Sequence, residues 1–227
     1  MSKIIAIMLL LCCGMMLFGC ADDNGRRKAE QQKTIVVTDS VGRKVELPYP
    51  LERVAVCNVY NAELITAVGA IDKIVGVDNY IFKDQSGFKN RFNEAQVFGI
   101  SQNAMNYEKL AELAPQAVII TGEGTWRDAQ EMLDRFGIKV IVINSYYTDQ
   151  FADNCRLIGR IFGREEQAEE LVNYFNDKLA YIQKQLQGVP RRSLYFEYRT
   201  LGKTAVPGDY FYKMVEYSGA DNIFAAA

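Results

Sequence analysis

Histidine is absent from all 227 residues. That removes the commonest side-chain metal ligand and the usual general base near neutral pH. Neither a Ser/His/Asp nor a Cys/His arrangement can be assembled. A bilayer-length apolar run is missing too: the uncharged stretch Ile4–Phe18 falls short of the about 20 residues a spanning helix needs. Charge of one sign is not in excess, with 26 Lys and Arg against 28 Asp and Glu and a formal net charge of −2. No basic patch carries interleaved aromatics, which argues against nucleic acid as a partner. Thr121-Gly122-Glu123-Gly124 lacks the spacing of a phosphate or dinucleotide fingerprint. An enzyme would have to work through carboxylates or tyrosines. Nothing assembles them into an acid–base pair, and no cofactor or metal site is implied.

What is present begins at the N-terminus. Lys3 precedes the uncharged stretch, and Leu17-Phe18-Gly19-Cys20 closes it. A basic start, a short apolar core and a small residue at the cut describe a secretory signal. The tetrapeptide resembles the bacterial lipobox, which implies that residues 1–19 are removed and that Cys20 carries lipid, palmitate included. Removing 19 residues leaves 208, and losing Lys3 takes the charge to −3. Residues 20–33 are polar and charged, too poor in apolar groups to offset the entropy of ordering, and read as a flexible tether. A lipid chain contributes about 0.8 kcal/mol per buried methylene, and stable anchoring takes more than one chain. The expectation is an extracytoplasmic protein on the periplasmic side or cell surface, touching its membrane through lipid alone. Cys57 and Cys155 are then the remaining cysteines. Pairing stays open in an oxidising compartment, but their apolar settings favour two buried free thiols.

Downstream, short β-branched runs alternate with helical patterns. Ile35–Thr38 and Lys44–Leu47 flank Ser40-Val41-Gly42-Arg43 as a hairpin. Val54–Cys57, Lys73–Val77, Ala117–Thr121 and Lys139–Ile143 read as strands, with helices over Ala62–Val68, Trp126–Phe136 and Phe151–Phe162. This alternation predicts βαβ units and a mostly parallel sheet. Gly69, Gly137 and Gly163 stand where those helices should stop. Residues 34–163 therefore form an N-terminal α/β lobe. From Glu165 to Gln187 apolar residues keep a 3-4 spacing without Pro or Gly, a helix of about 35 Å. Residues 164–188 read as a strut between two lobes. After Pro190 a strand at Ser193–Glu197 and a helix from about Asp209 to Tyr217 open a second α/β unit, residues 189–227.

Several stretches carry a resemblance: Thr38-Asp39-Ser40-Val41-Gly42-Arg43, Pro50–Val54, Leu64–Ala70 with Lys73–Val77, Asn106–Leu110 before Leu113-Ala114-Pro115, and Thr204–Gly208 through Gly219–Ile223. In order and spacing they resemble the iron-siderophore and cobalamin class of ABC-transporter substrate-binding proteins, from about residue 34 to the end. The resemblance implies two Rossmann-like α/β lobes bridged by one long helix, with ligand between them and no catalysis. It also implies an ABC permease and its ATPase as partners of a monomeric receptor. Glu108 and Glu216 match the glutamates that dock in permease arginine pockets, a contact suited to charge-assisted, bidentate bonding.

The ligand face is read from strand ends, where binding groups collect in parallel sheets. Asn58, Tyr60, Tyr80, Trp126 and Tyr146 are the candidates there, with Arg199 after the second-lobe strand to neutralise an anionic chelate. Phenols and an indole suit a large, partly polar ligand, and a ferric siderophore is expected to quench Trp126. Cobalamin or haem in the same transport role is the alternative, as is a sensory or partner-binding lipoprotein without transport. Bare ferric iron on Tyr146 and Tyr147 is a minor option. Only 37 residues follow Pro190, so the second lobe is expected to be incomplete and the sequence to be a fragment.

Overall fold

The computed structural model describes residues 33–198 and 200–225. The secretory signal, Cys20 and most of the tether lie outside the described residues, as does Arg199. The fold is α/β. Strands β1 (Thr34–Thr38) and β2 (Lys44–Pro48) pair antiparallel around a turn in which Gly42 takes φ 79°. Next come β3 (Val54–Val56), α1 (Val59–Ala67), β4 (Ile74–Val77), and two short helices, α2 (Asn79–Lys83) and α3 (Tyr107–Glu112). Then follow β5 (Ala117–Ile120), α4 (Trp126–Asp134), β6 (Lys139–Val142), α5 (Phe151–Phe162) and α6 (Glu165–Gln185).

Strands β3 to β6 form one parallel sheet in the order β4-β3-β5-β6. Both faces are buried, because side chains alternate across strands whose helices cover both sides. Val54, Val56, Ile119 and Ile141 join one core with the hairpin, α1, α5 and the first turns of α6. Ala55, Cys57, Val118, Ile120, Val140 and Val142 join the other, beneath α4 and Leu110 of α3. Cys57 and Cys155 are both buried and free, as the apolar settings required.

Gly163 ends α5 in the left-handed conformation, φ 63°, and turns the chain into α6. The two helices meet closely at Gly159, where an added Cβ would lie 2.5 Å from the Ala168 Cβ. Helix α6 is unbroken for 21 residues, about 32 Å. Only Ala168 and Val172 of it are buried, and its C-terminal half leaves Tyr174 and Tyr181 exposed. After Gly188 the chain forms β7 (Arg192–Leu194), α7 (Tyr212–Tyr217) and β8 (Ala220–Asn222), with β7 and β8 parallel. This second βαβ unit docks on the end of α6 where Leu186 packs against Gly219. Among the described residues no helix is long and apolar enough to cross a membrane.

Candidate functional site

The carboxyl ends of the parallel strands are cross-braced by amide side chains. After β5, Thr121 donates from both N–H and hydroxyl to Gln102 Oε1, at 2.9 and 2.8 Å. The Gly122 amide donates to Asn144 Oδ1 at 2.7 Å, and Asn154 Nδ2 to the Asn144 carbonyl at 2.9 Å. Ser145 Oγ bonds Asn61 Oδ1 at 2.6 Å, which joins the β6 end to α1. Every one of these links spans ten or more residues. No local pattern in the sequence marks Gln102, Asn144 or Asn154, so sequence reasoning missed the brace.

On this frame stands a cluster of rings. Tyr146 lies 4.8 Å from Tyr147 and 6.5 Å from Tyr60, centroid to centroid. Tyr210, from the segment before α7, meets Tyr146 edge-on at 5.4 Å and 76°, and Tyr147 at 6.5 Å and 89°. The rings continue through Phe211 at 4.2 Å from Tyr210, then to Tyr198 and Phe196, each 4.8–4.9 Å from Phe211. An unbroken aromatic path therefore runs from the first-lobe strand ends to the second βαβ unit. Beside it a cavity of about 250 Å³ is lined by Tyr147, Asp149, Gln150, Asp209, Tyr212 and Lys213. From sequence, Tyr147 stands with Tyr146 only as a minor iron-binding option, and Tyr210 is the contributor that sequence reasoning missed.

Of the expected residues, Tyr60 and Tyr146 fall in this cluster. Asn58 sits at its base with a structural task. Its φ is 76°, its Oδ1 caps α1 by accepting the Tyr60 amide at 3.0 Å, and its own amide donates to Asp78 Oδ2 at 3.0 Å. Tyr80 stands apart from the rings and is 63% exposed. Trp126 does not join the rings. It is only 9% exposed, packs into the core under α4, and is covered by the guanidinium groups of Arg43 at 4.3 Å and Arg127 at 4.1 Å.

The electrostatics favour neutral phenols. Burial raises the Tyr146 pKa, and the Glu123 carboxylate and Tyr147 raise it further. Burial also raises that of Tyr147, again with Glu123, then Asp209 and Asp149. Burial holds the Cys57 thiol well up and pushes Cys155 up to about 12, so neither is a nucleophile at neutral pH. No cluster of three His, Cys, Asp or Glu exists among the described residues. The rings thus present a neutral aromatic surface edged with hydroxyl groups.

Of the two expected docking glutamates, Glu108 is far from these rings in sequence, while Glu216 follows Tyr210 by six residues. Glu108 is exposed in the first turn of α3 and has no ion-pair partner among the described residues. Glu216, on α7, pairs with Lys213 at 2.6 Å.

A family profile described as "Periplasmic binding protein" matches residues 54–227. The molybdate-binding protein MolA of Haemophilus influenzae is 26% identical over 219 residues, covering 84% of this chain and 61% of that protein. The vitamin B12-binding protein of Salmonella typhimurium is 22% identical over 182 residues, covering 78% and 64% respectively. Staphylococcus aureus SirA complexed with staphyloferrin B superposes with a TM-score of 0.64 at 18% identity, over 84% of this chain and 65% of that one. The chain thus spans less than two thirds of the curated relatives it matches.

Proposed function

Because the chain belongs to the periplasmic binding protein family, we propose that it is the capture component of an ABC importer for an iron chelate, lipid-anchored at Cys20. The observation that carries the ligand reading is the ring surface of Tyr60, Tyr146 and Tyr147 at the strand ends, faced by Tyr210. Aromatic rings contribute about 0.5–1.5 kcal/mol per pair beyond area burial. Their hydroxyls add donors that orient a partly polar chelate. Relatives that take a molybdate ion or cobalamin define the competing ligands. A bare oxyanion asks for cationic or amide donors. Here the neighbours of the rings are mainly the carboxylates Glu123, Asp149 and Asp209, with the single ammonium of Lys213 in the lining of the adjacent cavity.

Calorimetric titration with a ferric trihydroxamate, haemin, cyanocobalamin and molybdate tests the reading. Saturable one-to-one binding of the ferric chelate is expected. Binding of molybdate alone, or of no probe, overturns it. Incorporation of labelled palmitate, lost in Cys20→Ala, tests the anchor in the same cells.

A further inference from the structure

The rings at the strand ends are framed by carboxylates on fastened backbone. Glu123 stands in the loop after β5, which is tied on both sides. The Gly122 amide donates to Asn144 Oδ1 at 2.7 Å, and the Glu123 carbonyl accepts from Gln102 Nε2. Asp209 stands in a turn of the second unit. Its amide donates to the Val206 carbonyl at 2.9 Å, and its Oδ1 accepts the Phe211 amide at 2.9 Å. Asp149 follows Tyr147 by two residues and shares the cavity of about 250 Å³ with Asp209. Glu123 acts on the phenols of both Tyr146 and Tyr147, and Asp149 and Asp209 act on that of Tyr147. None of these carboxylates is in an ion pair among the described residues. The nearby cations are engaged: Glu216 holds Lys213, in the cavity lining, at 2.6 Å, and Lys203 lies over Tyr198 at 5.2 Å. The surplus charge around the rings is negative.

The rings point the same way. An aromatic face carries negative potential and attracts a cation. Tyr60 is exposed, and Tyr146 and Tyr147 are partly so. An anionic chelate would meet like charge from both sides, Glu123 and Asp149 on the first lobe and Asp209 on the second unit. We infer that this surface selects a chelate bearing positive charge, an ammonium or guanidinium arm, with Glu123, Asp149 and Asp209 as the specificity-determining carboxylates. The inference rests on the capture reading for the chelate and adds its charge. Exposed pairings of opposite charge, and cation–ring contacts of similar strength, contribute about two- to fivefold each. Acting together they make the expected preference over a neutral isostere about tenfold, and added salt screens it.

The field is tested first with no chelate added. Phenolate absorbance is titrated with alkali in the parent and in Glu123→Gln. Tyr146 and Tyr147 are expected to ionise at lower pH in the variant, because the Glu123 carboxylate raises both. Burial, Thr121, Asp149 and Asp209 are common to the two proteins. Coincident curves overturn the inference whatever binds. Calorimetry then compares a ferric trihydroxamate with an ammonium arm, the same chelate N-acetylated on that arm, and a ferric tris-catecholate trianion. The ammonium form is expected to bind about tenfold more tightly than the acetylated form. In the combined variant Glu123→Gln, Asp149→Asn and Asp209→Asn, that ratio should fall to within about twofold of unity. A ratio of one in the parent, or tightest binding of the trianion, overturns the inference. Aquocobalamin, a cation, and neutral cyanocobalamin separate it from the iron reading. If no ferric chelate binds while the corrinoid cation outbinds its neutral form, the charge preference stands and iron capture fails. Binding of no probe refutes both.

Discussion

Asp39 accepts the backbone amide hydrogen of Val142 at 3.2 Å, and so ties the N-terminal hairpin to the edge strand of the parallel sheet. The same carboxylate accepts the amides of Val41 and Arg43 and both Nε and a terminal nitrogen of the Arg43 guanidinium, at 3.0 and 2.7 Å. Arg43 in turn lies over Trp126 and bonds Gln130 and the Val140 carbonyl. One buried acid thus secures the hairpin, the sheet edge and α4 together.

Asp39→Ala is therefore expected to destabilise the fold by about 3 kcal/mol, since it strands buried donors and half of an ion pair. For a chain of this size that lowers Tm by about 6–12 °C. Thermal melts followed by circular dichroism measure it. Trp126 fluorescence should shift in parallel, because the guanidinium above the indole loses its anchor. Asp39→Ala combined with Arg43→Met should recover part of the loss. A melt within 2 °C of the parent would show that the clamp is dispensable.

Much of this architecture is legible in the sequence. Phe151–Phe162 has the predicted bounds, and Gly69, Gly137 and Gly163 all take the left-handed conformation that ends a helix. Those features are local, set by periodicity and by what a Cβ would hit. The Thr38–Arg43 stretch was legible as a turn and as part of a family resemblance but not as a clamp, because that role depends on Val142 and Trp126, about 100 residues and 83 residues away. Trp126 shows the same limit from the other side. Proximity to a strand end was visible, but which way the indole turned depended on Arg43. The ring cluster was half legible, since Tyr146 follows a strand directly. Tyr210 could not be placed before the segment around Gly208 was folded back.

Asp78 supplies a pH-dependent test. It caps α2, accepting the Ile81 amide at 3.0 Å, and also accepts the Asn58 amide. Burial raises its pKa from the ordinary 3.8, with the amides of Ile81, Asn58 and Tyr80 offsetting part of the effect. An acid with a raised folded-state pKa holds its proton more tightly when folded. Its contribution to stability is greatest below about pH 4, falls as pH rises through the folded pKa, and is constant above. Asp78→Asn removes this slope, at a pH-independent loss of about 1 kcal/mol for the acceptor the amide cannot replace. Urea melts from pH 4 to 7 should show the parent losing stability relative to the variant as pH rises. A parent that gains instead would mean the three amides outweigh burial.

The docking proposal rests on Glu108 and Glu216, which differ in how ready they are. Glu108 is exposed at the start of a helix, where the dipole favours its charge. Glu216 is held by Lys213, one turn earlier on α7, so a permease arginine must replace that ammonium. Arginine can replace it because its planar fork offers two directed bonds where lysine offers a point charge. Each charge-assisted contact contributes about 1.5–3 kcal/mol. Either Glu→Ala change should then cut uptake of a labelled chelate about ten- to hundredfold, and the pair should abolish it. Ligand affinity by calorimetry should stay within about twofold, since neither residue touches the ring cluster. Lys213→Ala frees Glu216, but Lys213 also lines the cavity beside Tyr147, so uptake is compared at saturating chelate, where it should be equal or higher. Uptake that survives the double substitution removes both glutamates from the docking surface, whereas a parallel loss of ligand affinity would trace the defect to capture.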